Sequence, residues 1–447
     1  MKKFIETIQN IWKIEDLRNR LLITALFVLI YRFGSFIVLP GIDPTALTAL
    51  RAQTAGGLMA LLDMFSGGAF SNASIFALGI MPYISASIII QLLTIAVPSF
   101  QKMQQEGESG RQKMNQITRY LTVAILILQG PSYLVNLSVQ MNAVGAPLVI
   151  GLNWFTISST IILCAGSMFV MWLGERITDR GVGNGISFII LIGIIARFPG
   201  AIIQEFSSRL NDAGGGLVIF LAEVIVLLLV FAAAILLVQG TRKIPVQYAK
   251  RMVGNKQYGG VRQYIPLKVN AANVMPIIFA QAIMFIPIMI AGFTTDGSGA
   301  FVRAFSDNDG FWYNFVFFLM IIAFTYFYTA IIINPQQMAE GLKQNNGFIP
   351  GVKPGKKTAE YIDTIMSRIT LPGSIFLGII AVLPAFARLF GVSMSFAQFF
   401  GGTSLLIMVG VILDTLQQIE SHLLMRHYDG FFENGFRIKG RSGAMAY

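Results

Sequence analysis

Leu217–Val238 is a run of 22 residues that carries a single charge, Glu223. A helix of about 20 mostly apolar residues crosses the hydrocarbon layer of a bilayer. Nine further stretches of this kind recur, at 21–40, 74–97, 117–137, 155–174, 186–205, 270–293, 311–333, 367–387 and 399–421. The span at 186–205 is the least regular, interrupted by Arg197, Pro199 and Gly200. Charged residues make up 12% of the 447 residues, against about 25% in soluble domains, too few to cover a soluble core of this size. The expected fold is therefore an all-α polytopic membrane protein with ten transmembrane helices. This composition excludes a disordered chain, a coiled coil, collagen and a small disulfide scaffold. The one cysteine, Cys164, cannot form an internal disulfide and reads as inert packing.

The positions of the basic residues fix an orientation. Segments 1–20, 98–119, 175–185, 240–269, 334–368 and 420–447 hold 27 of the 33 Lys and Arg, and the alternate loops hold 5. Cytoplasmic loops carry the excess of Lys and Arg, so both termini are expected in the cytoplasm. Residues 1–20 read as a basic amphipathic N-terminus, with Phe4, Ile5, Ile8, Ile11 and Trp12 on one helical face. No small-residue cleavage site follows the first apolar run, so no removable signal peptide is expected.

Two cytoplasmic segments exceed what orientation requires. Segment 240–269 has seven basic residues and no acid; it includes Arg242, Lys243, Lys250, Arg251 and Lys256. Segment 334–368 sets Lys353, Lys356 and Lys357 among turn-forming glycines and prolines. They read either as positive tethers or as a docking face for an acidic protein, RNA or anionic lipid. On the opposite side, loop 41–73 contains the short apolar stretch Leu58–Phe65, too short to span, between glycine pairs 56–57 and 67–68. It reads either as a surface loop helix or as a re-entrant segment buried in protein.

Catalytic chemistry is poorly supplied. His422 and His427 are five apart, on different helix faces, and match no zinc spacing. Gly181–Gly185 lacks a preceding strand and reads as a tight turn, not a dinucleotide site. The chain is not expected to be an enzyme, and no cofactor or metal site is read. The ionisable residues in or near spans are Arg32, Arg197, Glu223 and Asp414, of which Arg32 and Asp414 look deep. That is thin for a proton relay and suits a passive conduit or a transporter of neutral solute. Ile80 and Ile84, and Ile186 and Ile190, share helical faces, but such pairs occur all along the chain. Ser85, Ser87, Gln91, Gln129, Asn270, Asn273 and Gln281 are polar at membrane depth, either interhelical glue or a seam that opens.

Several motifs resemble the SecY family, the channel subunits of bacterial protein translocons. They are Met64-Phe65-Ser66-Gly67-Gly68-Ala69, the run Ala73–Ile88, Glu106–Arg111, Gly181–Ser187, Pro266–Asn270, Pro350–Gly355 and Phe400–Ile407. They fall in order from the first span to the last. The resemblance implies two pseudo-symmetric halves, 21–205 and 217–421, joined by a linker at 206–216, with a cytoplasmic tail at 422–447. It implies a pore narrowed by a ring of Ile80, Ile84, Ile186, Ile190, Ile278 and Ile407. A plug about 57–72, including Leu58, Met59, Leu62, Met64, Phe65, Ser66, Gly67 and Gly68, would close it from outside. Ser87, Gln91, Gln129, Asn270 and Asn273 would lie at a lateral gate through which signal sequences and membrane segments reach lipid. Loops 240–269 and 334–368 would dock the SecA motor or the ribosome, with SecE and SecG as further partners. Nascent polypeptides would be the cargo and the bacterial inner membrane the site. One departure is Lys353, where the family commonly carries Arg; Lys offers a point charge instead of a fork of donors. The competing expectations are a secondary transporter of a neutral solute and a membrane enzyme acting on lipid.

Overall fold

The computed structural model describes residues 14–43, 63, 66–143, 151–211, 216–248, 251–253, 256–258, 262–272, 274–281, 283–284 and 310–433. The first helix, α1 (Glu15–Gly34), starts with Glu15 and Asp16 in its first turn, where acidic groups favour the helix dipole. It begins and ends about six residues before the expected 21–40. Residues 35–39 leave the helix because their backbone pairs elsewhere. Leu39 N–H donates to Ala73 O (2.9 Å), Ile75 N–H donates to Ile37 O (3.0 Å), and Val38 bridges Ser74.

The expected span at 74–97 is also shorter as a helix. Residues 66–80 form successive turns, and α2 (Met81–Ala96) carries Pro82 in its first turn, a position that suits proline. Then α3 (Pro98–Gln105) bends away by 103°. The long helices α4 (Glu108–Ala143), α5 (Leu152–Arg180), α6 (Gly185–Asn211) and α7 (Gly216–Gln239) follow. Pro199 and Gly200 do not break α6, which continues to Asn211. In packed membrane helices neighbours can satisfy the backbone groups that a proline frees. The linker expected at 206–216 is correspondingly reduced, since 206–211 are helical.

Two small sheets, one of three strands and one of two, depart from the all-helical expectation. Strands β1 (Thr241–Tyr248), β2 (Arg251–Val253), β3 (Lys256–Tyr258) and β4 (Arg262–Lys268) lie in segment 240–269. β1 pairs antiparallel with β4, from Thr241–Lys268 to Gln247–Arg262, and β2 pairs with β3. After α8 (Phe311–Ile332) and α9 (Pro335–Gln344) comes β5 (Gly347–Phe348), which pairs with the other edge of β1. Asn334 caps α9 by accepting from the backbone N–H of Gln336 (3.1 Å) and Gln337 (3.3 Å). The two segments read separately in the sequence thus fold as one unit. Its core is Ile244, Val246, Leu267, Leu342, Ile349, Ile362 and Met366.

The chain ends with α10 (Lys356–Leu389), α11 (Met394–Ala397) and α12 (Gly402–Glu433). Among the described residues, seven helices are long and apolar enough to cross a membrane, and the bent pair α2–α3 makes up to eight. The other two expected spans are α1 and 270–293, the latter described only as far as residue 284. α6 packs against α5, α7 and α12. The turn before α6 ties three helices together. Val182 N–H donates to Thr24 Oγ1 on α1 (3.2 Å), and Gly183 N–H donates to Gln418 Oε1 on α12 (2.8 Å). Gly183 sits at φ +85° with its missing Cβ pointing at Thr415, so this turn requires glycine.

Candidate functional site: a central cavity and its seal

Isoleucines from four parts of the chain converge. Ile80, at the N-cap of α2, is 4% exposed and packs in one buried cluster with Ile190 of α6 and Ile407 of α12. Ile84 and Ile186 pack against that cluster. Ile84, Ile186, Ile190, Ile278 and Ile407 also line a single cavity of about 1370 Å³. Helical spacing alone could not separate these residues from the many other isoleucines, because what joins them is the convergence of helices distant in sequence.

One part of the cavity lining is polar. Gln101, Gln104, Lys268, Asn334, Gln337 and Asp414 contribute to it. Asp414 is exposed and lines this cavity. Ser87, Gln91 and Asn270 reach the same cavity, along α2 and at the end of the β4 segment. Asn270 is 5% exposed, and its Oδ1 has no hydrogen-bond partner among the described residues; nor has the Tyr328 hydroxyl on α8, which also lines the cavity. Gln129 is not brought to this group: it is exposed on α4. Asn273 lies outside the described residues.

Next to the isoleucine cluster lies the segment expected to be the plug. Ala69 is fully buried in that cluster. Of the expected plug residues, Leu58, Met59, Leu62, Met64 and Phe65 lie outside the described residues, while Ser66, Gly67 and Gly68 are seen. The walls take up the segment's carbonyls. The Tyr31 hydroxyl donates to Ser66 O (3.0 Å), Arg32 Nη1 to Gly67 O (2.8 Å) and the Tyr133 hydroxyl to Phe70 O (3.0 Å). Asp63 is 2% exposed and pairs with Arg197 of α6. The sequence reading weighed Arg197 but not Asp63, whose signal was only that of one acid in a short apolar stretch.

The expected docking residues lie apart from the cavity. Arg242 and Lys243 on β1, and Lys353, Lys356 and Lys357 around the start of α10, are exposed on the sheet unit. Arg251 and Lys256 lie on β2 and β3, and Lys250 lies outside the described residues.

Residues 74–416 match the model of the SecY family. The chain belongs to the SecY family. It is 44% identical to the protein translocase subunit SecY of Streptomyces galbus over 427 residues, covering 93% of this chain and 97% of that one. It is 42% identical to the SecY subunit of Mycobacterium tuberculosis over 451 residues, covering 97% and 100%. Among solved structures it resembles a protein-conducting channel (TM-score 0.59, 17% identity, 90% and 92% covered). It also resembles a SecY protein studied for its plug domain (0.61, 18%, 90% and 92%). A third likeness is to Sec61 in a canine ribosome–channel complex (0.55, 15%, 90% and 92%). The family and the apolar helices make the chain a multi-pass membrane protein and a channel subunit of a protein translocase, a pore without enzymatic activity of its own.

Proposed function

We propose that the central cavity is the conduit for unfolded secretory polypeptides and that the isoleucine cluster is its neck. The observation that carries this is the convergence of Ile84, Ile186, Ile190, Ile278 and Ile407 on one cavity from separate helices. A translocating chain varies in sequence, so its channel cannot bind it specifically. Branched aliphatic walls close around any side chain, offer no hydrogen bonds to hold it, and exclude water and ions when empty.

The segment including Ser66, Gly67 and Gly68 is the plug, seated against this neck. Ser87, Gln91 and Asn270 border a lateral gate. A buried amide oxygen without a partner among the described residues, as at Asn270 Oδ1, costs free energy, which favours a seam that separates and rehydrates. Signal sequences and membrane segments leave through this seam into lipid. Residues 21–205 and 217–421 act as the two halves. The sheet unit, with Arg242, Lys243, Lys353, Lys356 and Lys357, docks the SecA motor or a ribosome; two of the fold's neighbours are ribosome-bound channels. SecE and SecG complete the complex. The basic segments orient both termini to the cytoplasm of a bacterial inner membrane.

The test is crosslinking of a stalled secretory precursor to single cysteines at Ile84, Ile278 and Ile407 in a Cys164→Ser background, in membrane vesicles. Crosslinks at all three, dependent on the motor and ATP, are expected. Their absence in translocation-competent vesicles would refute the neck assignment.

A further inference from the structure

We propose that Asp63 and Arg197 form a charged latch, assisted by Arg32, that holds Asp63 and residues 66–73 in their closed seat in the resting channel. This rests on the function proposed above. Asp63 uses its two carboxylate oxygens differently. Oδ1 accepts the backbone N–H of Ser71 (2.8 Å), and the Asp63 carbonyl accepts Gly68 N–H (2.9 Å), so the residue folds its own turn. Oδ2 points out of that turn to Arg197 on α6. One side chain therefore both shapes the segment and ties it to the wall.

The seat is built to fit. Gly67, at φ +65°, lies so close to α6 that a Cβ would come within 2.6 Å of Gly193 Cα. That close approach brings its carbonyl to Arg32 of α1 (2.8 Å). Arg32 itself lies over the Phe36 ring (5.4 Å to the centroid). The segment is thus held by a guanidinium from each of two helices, one on its carboxylate and one on its backbone. Arg197 is one-third exposed and Asp63 is buried, so the carboxylate meets water only when the segment leaves.

A buried ion pair adds little net energy beside an apolar packing of equal volume, but removing one partner strands the other. The latch therefore sets the position of the segment and makes a misplaced closed state unfavourable, while both charges rehydrate when the channel opens.

The decisive measurement is resting ion conductance of the complete reconstituted complex in lipid bilayers, without precursor, together with precursor translocation by the same preparation. Asp63→Asn keeps the oxygen needed by Ser71 N–H and removes the charge; Arg197→Gln removes the other charge. Each should raise resting conductance by about tenfold, equivalent to about 1.4 kcal/mol in the closed–open balance. Arg197→Lys, which keeps the charge, should stay near the unaltered protein. The double variant Asp63→Asn/Arg197→Gln should leak no more than the worse single one, because the two charges act as a pair. Unchanged conductance in both single variants, or effects that multiply in the double variant, would overturn the latch if translocation persists. A complex of the unaltered chain that translocates no precursor would overturn the pore reading and the latch with it.

Discussion

Ile84 and Ile278 reach the cavity from different helices, and each is only partly buried. Side chains in that position close space instead of filling a core. Replacing either by Gly should leave the helices folded but open the neck, raising resting ion conductance; patch or bilayer recordings of the purified complex check this. Ile80 is different, because it is buried at the N-cap of α2. Ile80→Gly should also lower thermal stability, by about 2–5 kcal/mol as for other large-to-small core changes, whereas Ile84→Gly should cost much less. A melting curve in detergent separates the two. At this scale the sequence was of limited help. Isoleucine pairs four apart were visible, but nothing in spacing distinguished lining from lipid-facing positions. Asp63 was equally hidden, since its importance lies in a partner 134 positions away.

The sheet unit is the element whose folding and binding can be tested apart. Ile244 and Val246 are buried and alternate with less buried neighbours on β1, the two-residue period of a strand with one buried face. Val246 is 1% exposed. Val246→Asp would bury an unpaired charge, so the hairpin should detach from α9 and α10, and limited proteolysis should cut within 240–269. Arg242→Glu with Lys243→Glu leaves that buried face intact. This pair should slow association with an acidic or RNA-bearing partner by about tenfold or more and flatten its salt dependence, readable by binding kinetics across ionic strength. The alternation Ile244, Val246 and Ile265, Leu267 was present in the sequence, yet it was masked by the density of basic residues. The pairing of β1 with β5 could not be read at all, because 99 positions separate Tyr248 from its partner Gly347.

In the whole molecule, one end of the helix bundle is tied by a buried charge network. Arg209 of α6 donates to Glu205 Oε1 (3.0 Å), to Glu223 Oε1 of α7 (2.6 Å) and to Gly391 O (2.8 Å). Glu205 Oε2 in turn accepts Ser393 N–H (2.9 Å). Glu223, the lone charge of the most apolar span, thus finds its partner beside the short connection between α6 and α7. Arg209→Ala would leave two buried carboxylates without their cation, at a cost of about 3–5 kcal/mol. The melting temperature should fall sharply, and Arg209→Lys should recover part of it.

Membrane residence, ten apolar stretches and the asymmetry of Lys and Arg were determined by the sequence itself, because a bilayer acts on each segment locally through length, hydropathy and flanking charge. The family was legible too, through motifs spread along nearly the whole chain. Only the tertiary structure decided where those stretches stop being helical. Residues 37–39 pair with 73–75, and the rest of 66–80 closes local turns, instead of continuing a helix, since those bonds satisfy the backbone groups as a helix would. It also decided which isoleucines share a cavity, which charges pair, and that two basic loops form one sheet. Each of these depends on groups far apart in the chain, and their free energy exists only once the helices that carry them have packed.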